Sequence, residues 1–127
     1  MLRTAAPYLL SLLRIVAGLQ FLEHGTQKFL SFPTRAGPAA PELLSLLGVQ
    51  GCLEIAGGLL IILGLFTRPV AFLLAGDMAA AYFMAHFPKS FFPALNGGDA
   101  AILFCFVFLY LAAAGPGPIS IDATRRD

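Results

Sequence analysis

Apolar runs broken by short clusters of turn residues divide the chain into four segments that read as helices, at about residues 7–29, 41–66, 68–87 and 99–115. Each is long enough, or nearly so, to cross a hydrocarbon layer, which takes roughly 20 residues of helix. Pro7 and Pro41 suit first helical turns. Ser31-Phe32-Pro33, with Arg35 and Gly37-Pro38 beyond, ends the first segment, and Gly64-Leu65-Phe66-Thr67-Arg68-Pro69 makes a tight turn with Thr67 available as a cap. Gly115-Pro116-Gly117-Pro118 stops the fourth, and the tail beyond it is short and polar. The aromatic stretch from Pro88 to Gly98, with Lys89, reads as an interfacial loop. The expected fold is all-α: a single-domain integral membrane four-helix bundle over residues 1–127, with antiparallel up-down connectivity.

Against that background the polar positions stand out. Arg14, Gln20, Glu23, His24, Gln27 and Lys28 all fall on the first helix, where Arg14, Gly18, Phe21, Gly25 and Lys28 form one stripe and Glu23 points almost the opposite way. An ionised group at bilayer depth is costly, so part of this set must face protein or water. With a rise of about 1.5 Å per residue, Arg14, Glu54 and Asp77 share a depth of roughly 10 to 18 Å from the terminal side and are expected partners in a charge cluster. Nearer the opposite face, His24, Lys28, His86 and Asp99, with Lys89, are candidates for ligand binding or proton exchange, as is Glu54. Each set also has a plainer reading: the first as a register-fixing polar cluster, the second as side chains snorkelling to water. Small residues recur as Gly48, Cys52, Ala56, as Gly57-Gly58 after Glu54, and as Ala71, Ala75, Ala79, which lets helices approach closely or mediates a homodimer.

Composition narrows the classes. Of 127 residues 58% are hydrophobic and 12% charged, with a mean hydropathy of +0.83, so a lipid bilayer is the expected environment. A net charge of +1 without any basic run argues against nucleic acid. Cys52 and Cys105 form no CxxC pair, and two histidines without i, i+3 or i+4 spacing give no reason to expect haem or a metal centre. Nor is there an iron–sulfur, flavin or nucleotide fingerprint. Arg3 precedes the first apolar run, but Arg14 interrupts it and no cleavage site follows, so an uncleaved span is expected. Arg3, Arg68, Arg125 and Arg126 against Lys28, Arg35 and Lys89 favour both termini on the cytoplasmic side.

Five stretches together resemble a known family. F-L-E-H-G-T-Q-K-F from Phe21, L-E-I-A-G-G-L-L-I-I-L-G-L-F-T-R-P from Leu53, G-D-M-A-A-A-Y-F-M-A-H from Gly76, N-G-G-D from Asn96 and G-P-G-P-I-S-I-D from Gly115 are similar to the DoxX family of small bacterial and archaeal membrane proteins. The resemblance implies a four-helix inner-membrane protein linked to oxidative-stress, thiosulfate or quinone metabolism, some relatives being subunits of quinone-dependent oxidoreductases. It singles out Arg14, His24, Gly25, Lys28, Glu54, Arg68, Asp77, His86 and Asp99, with Asp at 77 and 99 where many relatives carry Glu.

Three functions are then in view. One is an accessory subunit that binds a quinone or similar headgroup while a redox-protein partner supplies electrons. The others are a scaffold that anchors a partner protein and a transporter of protons or small solutes, the last without the broken helices or paired repeats typical of transporters.

Overall fold

The computed structural model describes residues 1–33 and 41–125; Arg35 and Arg126, counted above for orientation, lie outside the described residues. Every regular element among those residues is helical: α1 (Leu2–Leu30), α2 (Leu46–Leu63), α3 (Thr67–Ala81), α4 (Pro93–Asn96), α5 (Asp99–Ala114) and α6 (Ile121–Thr124). A π-helical turn, Tyr82–His86, and a 3-10 turn, Phe87–Lys89, extend α3. Among the described residues three helices are long and apolar enough to cross a membrane, at 29, 18 and 23 residues for Leu2–Leu30, Leu46–Leu63 and Thr67–Lys89. The expected fourth span, α5, is apolar but has 16 residues, or about 24 Å of helix against a hydrocarbon core of about 30 Å.

Two helix starts differ from the sequence expectation, each for a local reason. The first helix begins at Leu2, so Pro7 lies inside it; the Thr4 hydroxyl donates to the Met1 carbonyl at 2.7 Å and secures the turn ahead of the proline. The second begins at Leu46 rather than at Pro41, because Ser45 makes the better cap: its Oγ accepts from the Gly48 amide at 3.1 Å and donates to the Glu42 carbonyl at 2.6 Å. Gly64, at φ 68°, ends α2 in the left-handed conformation that a glycine adopts without strain.

The chain divides into two compact units, residues 1–67 with 116–127 and residues 68–115. In the first, α1 and α2 lie against each other in opposite directions. A Cβ at Gly18 would meet Ile62, one at Gly25 would meet Ile55 and Gly51, and one at Gly58 would meet Leu22. Ala17, Phe21 and Ile61 complete the apolar seam. Glycine on both helices brings the backbones together where packing, not water exclusion, drives association. The buried residues of α2 are Gly48, Gly51, Glu54, Gly57, Gly58 and Ile61, Gly48 against the turn at Glu42, while Cys52 and Ala56 of the expected Gly48–Cys52–Ala56 stripe point outward.

A paired substitution tests this seam. A Cβ on Gly25 would stand 2.6 Å from Ile55 Cγ1 and 3.0 Å from the Gly51 carbonyl oxygen, whereas one on Gly76 has open space around it. Gly25→Ala is expected to destabilise the protein by about 1–3 kcal/mol through overpacking. Gly76→Ala is expected to stabilise it slightly, by up to about 1 kcal/mol of helix propensity. Thermal unfolding in detergent measures both.

The polar tail does not trail away. In the same unit Ser11 Oγ accepts from the Ile119 amide at 3.1 Å, and the Asp122 amide donates to the Gly64 carbonyl at 2.9 Å. The Asp122 carboxylate accepts from the amides of Phe66 and Thr67, each at 2.8 Å, where the chain turns into α3. Partial burial acts to raise the Asp122 carboxyl, but those two amides and the nearby Arg125 outweigh it and hold the group below its usual value. A depressed carboxylate contributes stability above its unfolded pKa of about 3.9 and loses it as pH falls through the lower folded value. Exchange of the Phe66 and Thr67 amides, corrected for intrinsic rates, is therefore expected to quicken in that acidic window. Asp122→Asn should quicken it at neutral pH and flatten the dependence.

In the second unit Ala71, Leu74, Ala75, Met78, Ala101, Phe108 and Leu111 are buried. Of the expected Ala71–Ala75–Ala79 stripe, Ala71 and Ala75 are buried and Ala79 is half-buried.

Candidate functional site

Among the described residues of the first unit, the buried charged side chains Arg14 and Glu54 each have their own solution. Arg14 lies on the buried face of α1, 1% exposed. Its guanidinium spreads over carbonyl oxygens: Nε donates to Ile61 at 2.8 Å, Nη2 to Ile62 at 3.4 Å and to Ile119 at 2.7 Å, and Nη1 to Pro116. Ile61 and Ile62 belong to the last turn of α2, where the helix dipole is negative and carbonyls run out of i+4 partners, that of Ile61 accepting only from the Gly64 amide at 3.1 Å within the backbone. The planar fork of arginine suits such an array. The expected Arg14–Glu54 pairing is therefore replaced by a helix C-terminus and a loop. Flush helix ends had put the two at one depth, but the α1/α2 register sets Arg14 level with Ile61, about two turns of helix from Glu54.

The same device recurs in the second unit. Arg68 Nη1 donates to the Ala112 carbonyl at 3.2 Å and to that of Ala113, in the last turn of α5. The sequence marks Arg68 as a turn residue, an orientation charge and a family position but gives it no partner; a basic residue meeting a helix end elsewhere in the chain has no local pattern to reveal it.

Glu54, 4% exposed, sits in the middle of α2. Its Oε1 accepts from Lys28 Nζ at 2.5 Å, and the same ammonium reaches Gln50 Oε1 at 3.2 Å. Side chains on a helix lean toward its N-terminus, so in two opposed helices Lys28 and Glu54 lean toward each other. Gln50, one turn before Glu54 on the same face, was not singled out from the sequence, although its i, i+4 spacing from Glu54 would have located it. His24 lies one turn before Lys28, exposed at the protein surface. Lys28, His24, Glu54 and Gln50 thus form one polar group within two otherwise apolar helices, three of them candidates named from the sequence. Such a group can hold a proton on a carboxylate, donate hydrogen bonds from an ammonium, and exchange protons through an imidazole.

Asp77, His86 and Asp99 belong to the second unit. Asp77 lies along α3, and Asp99 opens α5, exposed in its first turn where a carboxylate complements the helix dipole. His86 Nδ1 lies 3.1 Å from the Asn96 carbonyl oxygen, so His86 turns to Asn96 and not to Asp99. Asn96, 2% exposed, is the hub there: Nδ2 donates to Tyr82 Oη at 3.1 Å and to the Ser90 carbonyl at 2.9 Å, and Oδ1 accepts from the Gly98 amide at 2.8 Å. The last of these is the local turn that Asn before Gly-Gly favours, a signal already present in the sequence. Among the described residues no group of three or more His, Cys, Asp or Glu side chains could hold a metal ion.

Three span-length apolar helices among the described residues, two of them joined by the Lys28–Glu54 ion pair, define a helical membrane protein. The DoxX family model matches residues 9–87, and the chain belongs to that family. It is 45% identical over 122 residues to an uncharacterized protein of Haemophilus influenzae, covering 91% of this chain and 90% of the relative. It is 30% identical to the inner membrane protein YphA of Escherichia coli, over 93% of this chain and 91% of that protein. An uncharacterized membrane protein of Mycobacterium tuberculosis is 28% identical, over 87% and 77%. No solved structure matches.

Proposed function

We propose that this protein is an inner-membrane accessory subunit of a redox system and that it binds a quinone or similar small headgroup beside Lys28 and Glu54. The observation that carries this reading is the Lys28–Glu54–Gln50 group, set between two apolar helices with His24 one turn away. An ammonium donates three hydrogen bonds, two of which go to Gln50 and Glu54, and a third can serve a headgroup carbonyl. Glu54 then takes or gives the proton that accompanies reduction, and His24 passes it to water. Electrons come from a partner protein. In this reading α5 is a fourth crossing of an antiparallel bundle, and both termini are cytoplasmic.

The test is saturable binding of a short-chain quinone analogue to the purified protein, with quinone extracted from the native preparation as a second measure. Glu54→Gln and His24→Ala are expected to abolish or weaken binding while helicity is retained. Absence of binding to either the oxidised or the reduced analogue rejects the proposal. The competing reading, a scaffold that anchors a partner protein, draws on the ion pair being satisfied within the chain. It predicts that the two variants change the melting temperature alone.

A further inference from the structure

The end of α3 carries a run of phenylalanines that packs on itself and not into a core. Phe83 and Phe87 rings lie 5.8 Å apart, Phe87 and Phe91 6.1 Å, and Phe91 and Phe92 5.4 Å in an edge-to-face pair. All four are exposed, Phe91 by 72%, and exposed Met84 and Leu95 flank them. An apolar ladder of this kind is unfavourable in water.

Two polar side chains at this end of the unit, His86 and Asn96, are satisfied within the protein. Asn96 engages Tyr82, the Ser90 carbonyl and the Gly98 amide, and His86 engages the Asn96 carbonyl. Irregular backbone can enter a low-polarity region when its polar groups are satisfied within the protein. The ladder also continues directly from the span-length apolar helix Thr67–Lys89, whose exposed Phe72 and Leu73 already require lipid. Lys89, exposed within the segment, adds one positive charge where anionic headgroups would lie.

We infer that the Phe83–Phe92 segment lies in the bilayer along the boundary between headgroups and acyl chains, with its phenylalanine rings in the acyl region and Lys89 at anionic phosphates. Phenylalanine has no polar edge to keep in water, so these rings sit on the acyl side of the tyrosine and tryptophan belt. The segment anchors the end of α3 at a fixed depth.

The chain contains no tryptophan, so Phe91→Trp installs a single emitter. The full-length variant is reconstituted into phosphatidylcholine–phosphatidylglycerol vesicles whose acyl chains are brominated either near the ester or near the terminal methyl. The expected result is blue-shifted emission that resists iodide and is lost mainly to bromine near the ester. Phe92→Trp gives an independent reading if the first variant does not fold. Lys89→Glu in either background should weaken the quenching more in phosphatidylglycerol-rich than in neutral vesicles. Red-shifted emission quenched by iodide overturns the inference, and so does emission shielded only after other membrane proteins are added, which would make the ladder a protein-docking surface.

Discussion

Arg14→Ala is expected to lower stability by about 3–5 kcal/mol, because it leaves several buried carbonyl acceptors without a donor. The Pro116, Ile119 and Ile62 carbonyls would each lose a donor, and an unsatisfied buried acceptor costs about 1–3 kcal/mol. The effect should appear as a lower unfolding temperature in detergent and as protease sensitivity after Gly115. Arg14→Lys should recover only part of the loss. A lysine concentrates its donors at one atom and cannot span carbonyls that arginine meets from three nitrogens. If Arg14→Ala leaves the melting temperature unchanged, the carbonyl cradle contributes nothing.

Lys28→Ala is expected to be similarly severe, about 3–5 kcal/mol, because it strands the Glu54 carboxylate on the buried face of α2. The reverse change, Glu54→Gln, should be milder. The Lys28 side chain is 26% exposed and can carry its ammonium toward water, whereas that of Glu54 is 6% exposed. Lys28→Met combined with Glu54→Met should recover most of what Lys28→Ala loses, since matched apolar replacements of a buried pair are often near neutral. A double-mutant cycle in detergent measures the coupling. Additive effects would mean that the 2.5 Å contact carries no net energy.

The helices were legible in the apolar segments, and so was the Gly64–Thr67 turn. The residues of interest were legible too, because Arg14, Lys28 and Glu54 are conspicuous in apolar surroundings. Their partners were not. Arg14 binds backbone oxygens, and a carbonyl has no letter in a sequence. Lys28 and Glu54 meet because of the α1/α2 register, set by glycines whose contacts appear only when the helices are packed. The contacts of the short polar tail were hidden for a similar reason: Ser120 caps Ala123 locally, but Asp122 serves amides more than fifty residues earlier. In this protein helix ends, more than opposite side chains, answer the charges.

The Arg14 cradle also orders events during synthesis. Arg14 leaves the ribosome within the first span, Ile61 and Ile62 follow with α2, and Pro116 and Ile119 come last. Chains are made N-terminus first, so α1 enters lipid carrying a cation whose binding site is incomplete for most of translation. The Arg14 cradle therefore closes only once residues 116–119 have been made, and a product truncated after Ala114 would keep that cation partly unsatisfied inside the membrane.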